Sequence, residues 1–210
     1  MTPPFGPPEY QQRLDRVRGA MADKDLDAMV IGDPANMNWL TGFDAWSFYV
    51  PQVMLVLHDH PPVWLGRQMD AGAIPLTTYL SPESVRPYAE DLIQRDGVHP
   101  MEAIAESLKE LGLGHHRVGF ESDTYFFSFK AMELLQRALP QAQWIDADLL
   151  VNWCRAIKSD AEVQMMAQAG RIASRVMGVA CEHIAPGVRQ CDLVAKILAA
   201  QVSSEAGVGG

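Results

Sequence analysis

The apolar positions of this chain change period several times, and each change marks an element. Leu14, Val17 and Met21 fall at helical spacing within residues 9–24, with basic residues between them, so an amphipathic helix is expected there. Asp27-Ala-Met-Val-Ile31 reads as a short buried strand, stopped by Gly32-Asp33-Pro34. Pro34 suits the first position of a helix, and Gly42 suits its end. Gln52–His58 and Val63–Gly66 are strands that flank the turn His58-Asp-His-Pro-Pro62. Residues 69–79 predict a short helix broken at Pro75. Pro100–Leu111 predicts a helix with Met101, Ile104, Leu108 and Leu111 on one face, ended by Gly112 and Gly114. Arg117–Glu121 is a strand. Ser128–Leu139 is a helix with Met132, Leu135 and Leu139 inward, Gln143–Ile145 a strand, and Asp146–Cys154 a short helix. Strands and helices alternating at these lengths predict an α/β fold over residues 1–155, with three layers and a mixed sheet.

A junction follows at Arg155-Ala-Ile-Lys158-Ser159-Asp160-Ala-Glu162. Ser159 and Glu162 have capping-box spacing, so a helix is expected to start there. Val163, Met166, Gly170, Ala173, Val176, Met177, Ala180 and Ile184 then hold one face over about six turns, and Pro186-Gly187 ends the helix. A second helix carries Val194, Ile197 and Leu198 inward. Eight large apolar side chains of this hairpin need a covering layer. At roughly 1.5–3 kcal/mol each when buried, about 12 kcal/mol or more depends on it. Two helices cannot bury that face against each other. They fold back on the first domain, pair with another chain, or lack a piece that covers them. Residues 156–210 are therefore expected to be the opening of a second, truncated domain.

Composition narrows the partners more than the chemistry. An apolar share of 48% and a charged share of 20% are ordinary for a globular protein. The net charge of −9, with both signs mixed along the chain, disfavours nucleic acid and anionic membrane, since no basic stripe can neutralise phosphates. Cys154, Cys181 and Cys191 form no CxxC pair and read as free thiols in a reducing cytoplasm. No apolar run approaches a membrane span, and the Pro-rich start is not a signal peptide. No Gly-rich phosphate loop occurs, and no serine sits on a G-x-S-x-G elbow.

Several ordered motifs resemble one family. Leu26-Asp27-Ala-Met-Val-Ile31, then Asp33-Pro34-Ala-Asn36-Met-Asn38-Trp39-Leu40-Thr41-Gly42-Phe43, are similar to the N-terminal domain of the creatinase/prolidase/aminopeptidase P family. Arg155-Ala-Ile-Lys158-Ser159 with Glu162, then Ile184-Ala-Pro186-Gly187, resemble the opening of that family's catalytic "pita-bread" domain. Within the family, Trp46-Ser47-Phe48-Tyr49-Val50, Gly66-Arg67-Gln-Met-Asp70, His99-Pro100-Met101, Val151-Asn152-Trp153 and Cys191-Asp192-Leu193-Val194-Ala195 are most similar to ectoine hydrolases. The resemblance implies a cytoplasmic, homodimeric hydrolase acting on a C–N bond of a small cyclic amidine, ectoine giving N-acetyl-diaminobutyrate. An Xaa-Pro dipeptidase relative is the alternative, and a non-catalytic binding or dimerisation module is the rival of another class. The family's catalytic and metal-holding carboxylates and histidine lie in a later region with no counterpart here. No catalytic residue, no metal ligand and no cofactor is therefore expected in this chain.

Three residues are candidates for substrate binding across a dimer. Arg67 closes a strand and suits a bidentate grip on a carboxylate, or a surface ion pair. Gly66 beside it lets a ligand or another backbone approach. Trp46 and Tyr49, with Trp39 and Phe48, make either an aromatic wall for a delocalised cation or a core and interface cluster. The remaining polar groups have plain expectations. His58 and His60 read as a solvated turn, because a tight metal site needs three or four convergent ligands. His115 and His116 read as surface, Cys181, His183 and Cys191 as a helix end whose thiols are buried against the missing sheet, and Asn36 and Asn38 as loop hydrogen-bonders.

Overall fold

A computed structural model describes residues 3–44, 47 and 49–203. The chain forms two compact units, Met1–Ala156 and Ile157–Gly210. In the first, helix α1 (Pro7–Asp23) buries Tyr10, Leu14, Val17 and Met21, and strand β1 (Ala28–Ile31) is buried throughout. Helix α2 (Pro34–Thr41) begins where the Asp33 carboxylate accepts from the backbone N–H groups of Ala35 and Asn36. It ends at Gly42, whose φ of +84° is left-handed. Strands β2 (Val53–Leu57) and β3 (Val63–Arg67) form the expected hairpin.

Residues 68–77 differ from the single broken helix. They make two one-turn helices, α3 (Gln68–Ala71) and α4 (Ile74–Thr77), and Pro75 lies in the first turn of α4, where it needs no N–H partner. A strand that periodicity missed follows, β4 (Val85–Tyr88). It contains Pro87 and has no clean alternation, and it lies at a sheet edge, where proline is tolerated. Then come α5 (Pro100–Glu110), β5 (Arg117–Phe120), α6 (Phe129–Ala138) with Ser128 as its cap, and β6 (Gln143–Asp146). Helix α7 (Leu150–Ala156) starts later than expected because Asp146 pairs with Phe120 in the sheet.

The sheet order is β4-β3-β2-β1-β5-β6. Strand β2 is antiparallel to both neighbours and every other pairing is parallel. This is the mixed sheet that the alternation of elements predicts. Successive side chains leave a strand on opposite faces, and that divides the core in two. Met29, Ile31, Met54, Val56 and Trp64 pack with α1, α2 and α7. Ala28, Val30, Val53, Leu55, Val63, Leu65 and Val118 pack with α5 and α6. The result is a three-layer α/β unit.

The second unit is a hairpin of α8 (Asp160–His183) and α9 (Gln190–Val202). Both halves of the capping box form: Ser159 Oγ accepts from Glu162 N at 3.2 Å, and Glu162 Oε2 accepts from Ser159 N at 2.8 Å. Gly187, at φ +87°, turns the chain between the helices. Arg175 then links them by donating to the carbonyls of Ala200 and Ser203. Val163, Met166, Met177, Ile184, Val194 and Leu198 are all exposed. Cys181 and Cys191 are exposed as well.

Candidate functional site

Arg67 and Tyr49 come together; Trp46 and Phe48 lie outside the described residues. Arg67 ends β3 and turns its guanidinium into a local group. Its Nε donates to Asp70 Oδ2 at 2.9 Å, and its Nη2 donates to Tyr49 Oη at 3.2 Å. The guanidinium carbon stands 5.5 Å from the Tyr49 ring centroid. The side chains of Arg67 and Asp70 are each only 11% exposed, so this pair is better shielded than a surface ion pair. Helix α3 is what brings Asp70 and Met69 to Arg67, and the Glu90 carboxylate fixes α3 by accepting from Met69 N at 2.7 Å. Tyr49 itself is 57% exposed. The group therefore presents an oriented cation behind an accessible aromatic ring.

Gly66 has a different reason from the one expected. A Cβ there would lie 2.2 Å from the indole of Trp64, so the space is filled by this protein's own core. Trp39 is also a core residue, 7% exposed, with the guanidinium of Arg16 5.1 Å from its ring centroid. His58 Nε2 lies 2.8 Å from the Leu26 carbonyl. Arg18 ties the turn to α1 by donating to the carbonyls of Leu57 and His60. His183 Nδ1 faces the Val179 carbonyl. Among the described residues no three His, Cys, Asp or Glu side chains converge as metal ligands. Asn38 donates to the Phe43 carbonyl at 3.2 Å, as a loop hydrogen-bonder should.

Asn36 departs from that role. It is fully buried and belongs to a side-chain network that spans the end of the sheet. Its Nδ2 donates to Glu121 and to Asn152 Oδ1, and its Oδ1 accepts from Arg155 Nη1 at 2.6 Å. The second oxygen of Glu121 accepts from the backbone N–H groups of Gly32 and Asp33, both at 2.9 Å. Glu121 is 3% exposed. Burial pushes its carboxyl up to about 7, against the lowering effect of the hydrogen bonds from Asp33, Asn36 and Gly32. The network joins the ends of β1 and β5 to α2 and α7. The available sequence signal was an acid directly after the apolar strand Val118-Gly-Phe120.

With this geometry in view, comparison with known proteins identifies the class. The Creatinase/Prolidase N-terminal domain family matches residues 13–157. The chain belongs to the creatinase/prolidase family. It is similar to an ectoine hydrolase from Halomonas elongata, 44% identical over 195 residues, which cover 92% of this chain and 49% of that protein. Among solved structures it is similar to an Xaa-Pro dipeptidase from Bacillus anthracis, with a TM-score of 0.67, 18% identity, and coverage of 90% of this chain and 47% of that one. A proline dipeptidase structure from Streptococcus pneumoniae matches 69% of this chain over 98% of its own, with a TM-score of 0.55 and 21% identity. These structural likenesses show the fold. The chain spans about half the length of the curated relatives it matches.

Proposed function

We propose that this chain is the N-terminal part of an ectoine-hydrolase-type enzyme, which opens the C–N bond of a small cyclic amidine to give an N-acyl diamino acid. The observation that carries the reading is the 44% identity to an ectoine hydrolase across 92% of the chain. In this reading residues 1–155 are the accessory domain and residues 156–210 open the catalytic domain, in a cytoplasmic homodimer. Arg67 and Tyr49, with Trp46, contact substrate across the dimer. The oriented guanidinium suits a carboxylate and the exposed ring suits a delocalised cation, the two features of ectoine. The chemistry belongs to residues beyond this chain.

The test is ectoine turnover, with product detection, by this chain alone and by a longer protein that contains it, each with and without added divalent metal. Turnover by the longer protein and none by the chain alone is expected. Turnover by the chain alone would overturn the placement of the catalytic groups. Cleavage of Xaa-Pro dipeptides in place of ectoine by the longer protein would favour the dipeptidase alternative.

A further inference from the structure

A cleft of about 370 Å³ opens in the first unit, beside the substrate-facing group proposed above but with Arg67 outside its lining. Three segments wall it: the approach to β2 (Tyr49–Val53), the start of α5 (His99 and Met101), and the start of α6 (Tyr125–Ser128 and Ala131). Its floor contains an unexplained group. Gln52 is 4% exposed, and neither its amide nitrogen nor its amide oxygen has a hydrogen-bond partner. A buried amide with both ends unmade is costly in a native fold, and it calls for a partner that offers a donor and an acceptor together.

The electrostatics of the walls are one-sided. His99 and Ser128 cap α5 and α6, so two helix N-termini, each the positive end of its helix, meet at one cleft. His99 Nδ1 accepts from Met101 N at 3.1 Å, which leaves the ring proton on Nε2 as a donor. Ser128 Oγ accepts from Ala131 N, which leaves its hydroxyl proton for another acceptor. Among the described residues no aspartate or glutamate lines the cleft. The acid whose charge acts on His99 is Glu102, which also accepts from Arg137. Tyr49, Met101 and Phe126 supply apolar surface, and Tyr49 and Tyr125 are exposed.

We propose that this cleft binds a small carboxylate that also carries an amide, with the carboxylate toward the two helix N-termini and the amide paired with Gln52. The cleft shares Tyr49 with the group proposed to face substrate, but its polar features, Gln52, His99 and Ser128, are separate from Arg67 and do not rest on that reading.

The probe is N-acetylglycine, titrated into the isotopically labelled 210-residue chain and read by amide chemical shifts. Acetate, which lacks the amide, and N-acetylglycinamide, which lacks the charge, are the controls. Saturable shifts are expected at the Gln52 side-chain NH2 and at the backbone amides of Met101 and Ala131. Both controls should bind at least about tenfold more weakly, and Gln52→Met should weaken the probe by a similar factor while shifts outside the cleft stay as in the parent. Shifts that fail to saturate, that map elsewhere, or that are equal for acetate or unchanged in Gln52→Met overturn the proposal. Because the wild-type shift map stands by itself, a poorly folded variant would not protect the idea.

Discussion

Arg155 reaches back over 119 residues of chain to donate from Nη1 to Oδ1 of Asn36 at 2.6 Å. This contact fastens the last turn of α7 to α2, and Asn36 passes the connection on to Glu121 at the end of β5. Three elements far apart in sequence thus share one buried amide. Asn36→Ala removes the shared partner and leaves the buried Glu121 carboxyl and the half-buried Asn152 amide to be satisfied otherwise. A loss of about 2–4 kcal/mol is expected, measured by urea denaturation followed by far-UV circular dichroism. A loss within about 0.5 kcal/mol, the range of an ordinary surface substitution, would show that the network is dispensable.

Glu121 gives the fold a pH dependence of definite sign. Its folded-state pKa of about 7 lies above the ordinary 4.5, because burial disfavours the carboxylate. The folded state therefore holds this proton more tightly than the unfolded chain. The stabilisation is complete below about pH 4.5 and is lost as pH rises through about 7. The full span corresponds to roughly 3–4 kcal/mol at most. Denaturation midpoints across this range should fall more steeply for wild type than for Glu121→Gln, which cannot titrate. A wild-type-minus-variant difference that is flat with pH would contradict the assignment.

Gly66→Ala should destabilise the first unit by about 1–3 kcal/mol, since the added Cβ would meet the Trp64 ring at 2.2 to 2.9 Å. Trp64 is fully buried, so tryptophan emission should shift as the ring moves. An unchanged spectrum and midpoint would mean that β3 relaxes freely.

If the proposed function holds, Arg67→Lys in a longer enzyme that contains this chain should lower kcat/KM for ectoine by about 10–100-fold, because a point charge replaces the planar fork that holds Asp70 and Tyr49. The thermal midpoint of the first unit should move little by comparison. Steady-state kinetics with full activity in this variant would remove Arg67 from the substrate-facing group.

The exposed apolar face of α8 and α9 predicts dye binding. The 210-residue chain should enhance the fluorescence of a hydrophobic dye several-fold more than a chain ending at Ala156. Val163, Met166, Met177 and Leu198, each more than half exposed, are the sites that differ. Equal enhancement would show that this face is closed in solution.

Much of the fold was legible because it is written in local spacing. Leu14, Val17 and Met21 on α1, the Asp33-Pro34 start and Gly42 end of α2, and the Ser159–Glu162 box of α8 are each decided within a few residues. Strand β4 was not legible, since Pro87 hides its pattern and its position follows from pairing with β3. The buried network was not legible either. Asn36 and Glu121 carry no local sign of each other across 85 residues, and only the parallel pairing of β1 with β5 sets their ends side by side. Arg67 and Tyr49 were singled out from the sequence, but the Asp70 carboxylate that orients the guanidinium comes from a one-turn helix whose boundaries the pattern did not give.

Strand β4 has a consequence for how copies of this protein can associate. An uncovered strand ordinarily offers a row of hydrogen-bonding groups on which a neighbour's strand can grow. This edge strand has only four residues, and Pro87 has no N–H to offer while Arg86 brings a charge. Open-ended stacking of sheets is disfavoured at that margin, so a second copy that meets β4 does so through side chains rather than through a shared ladder.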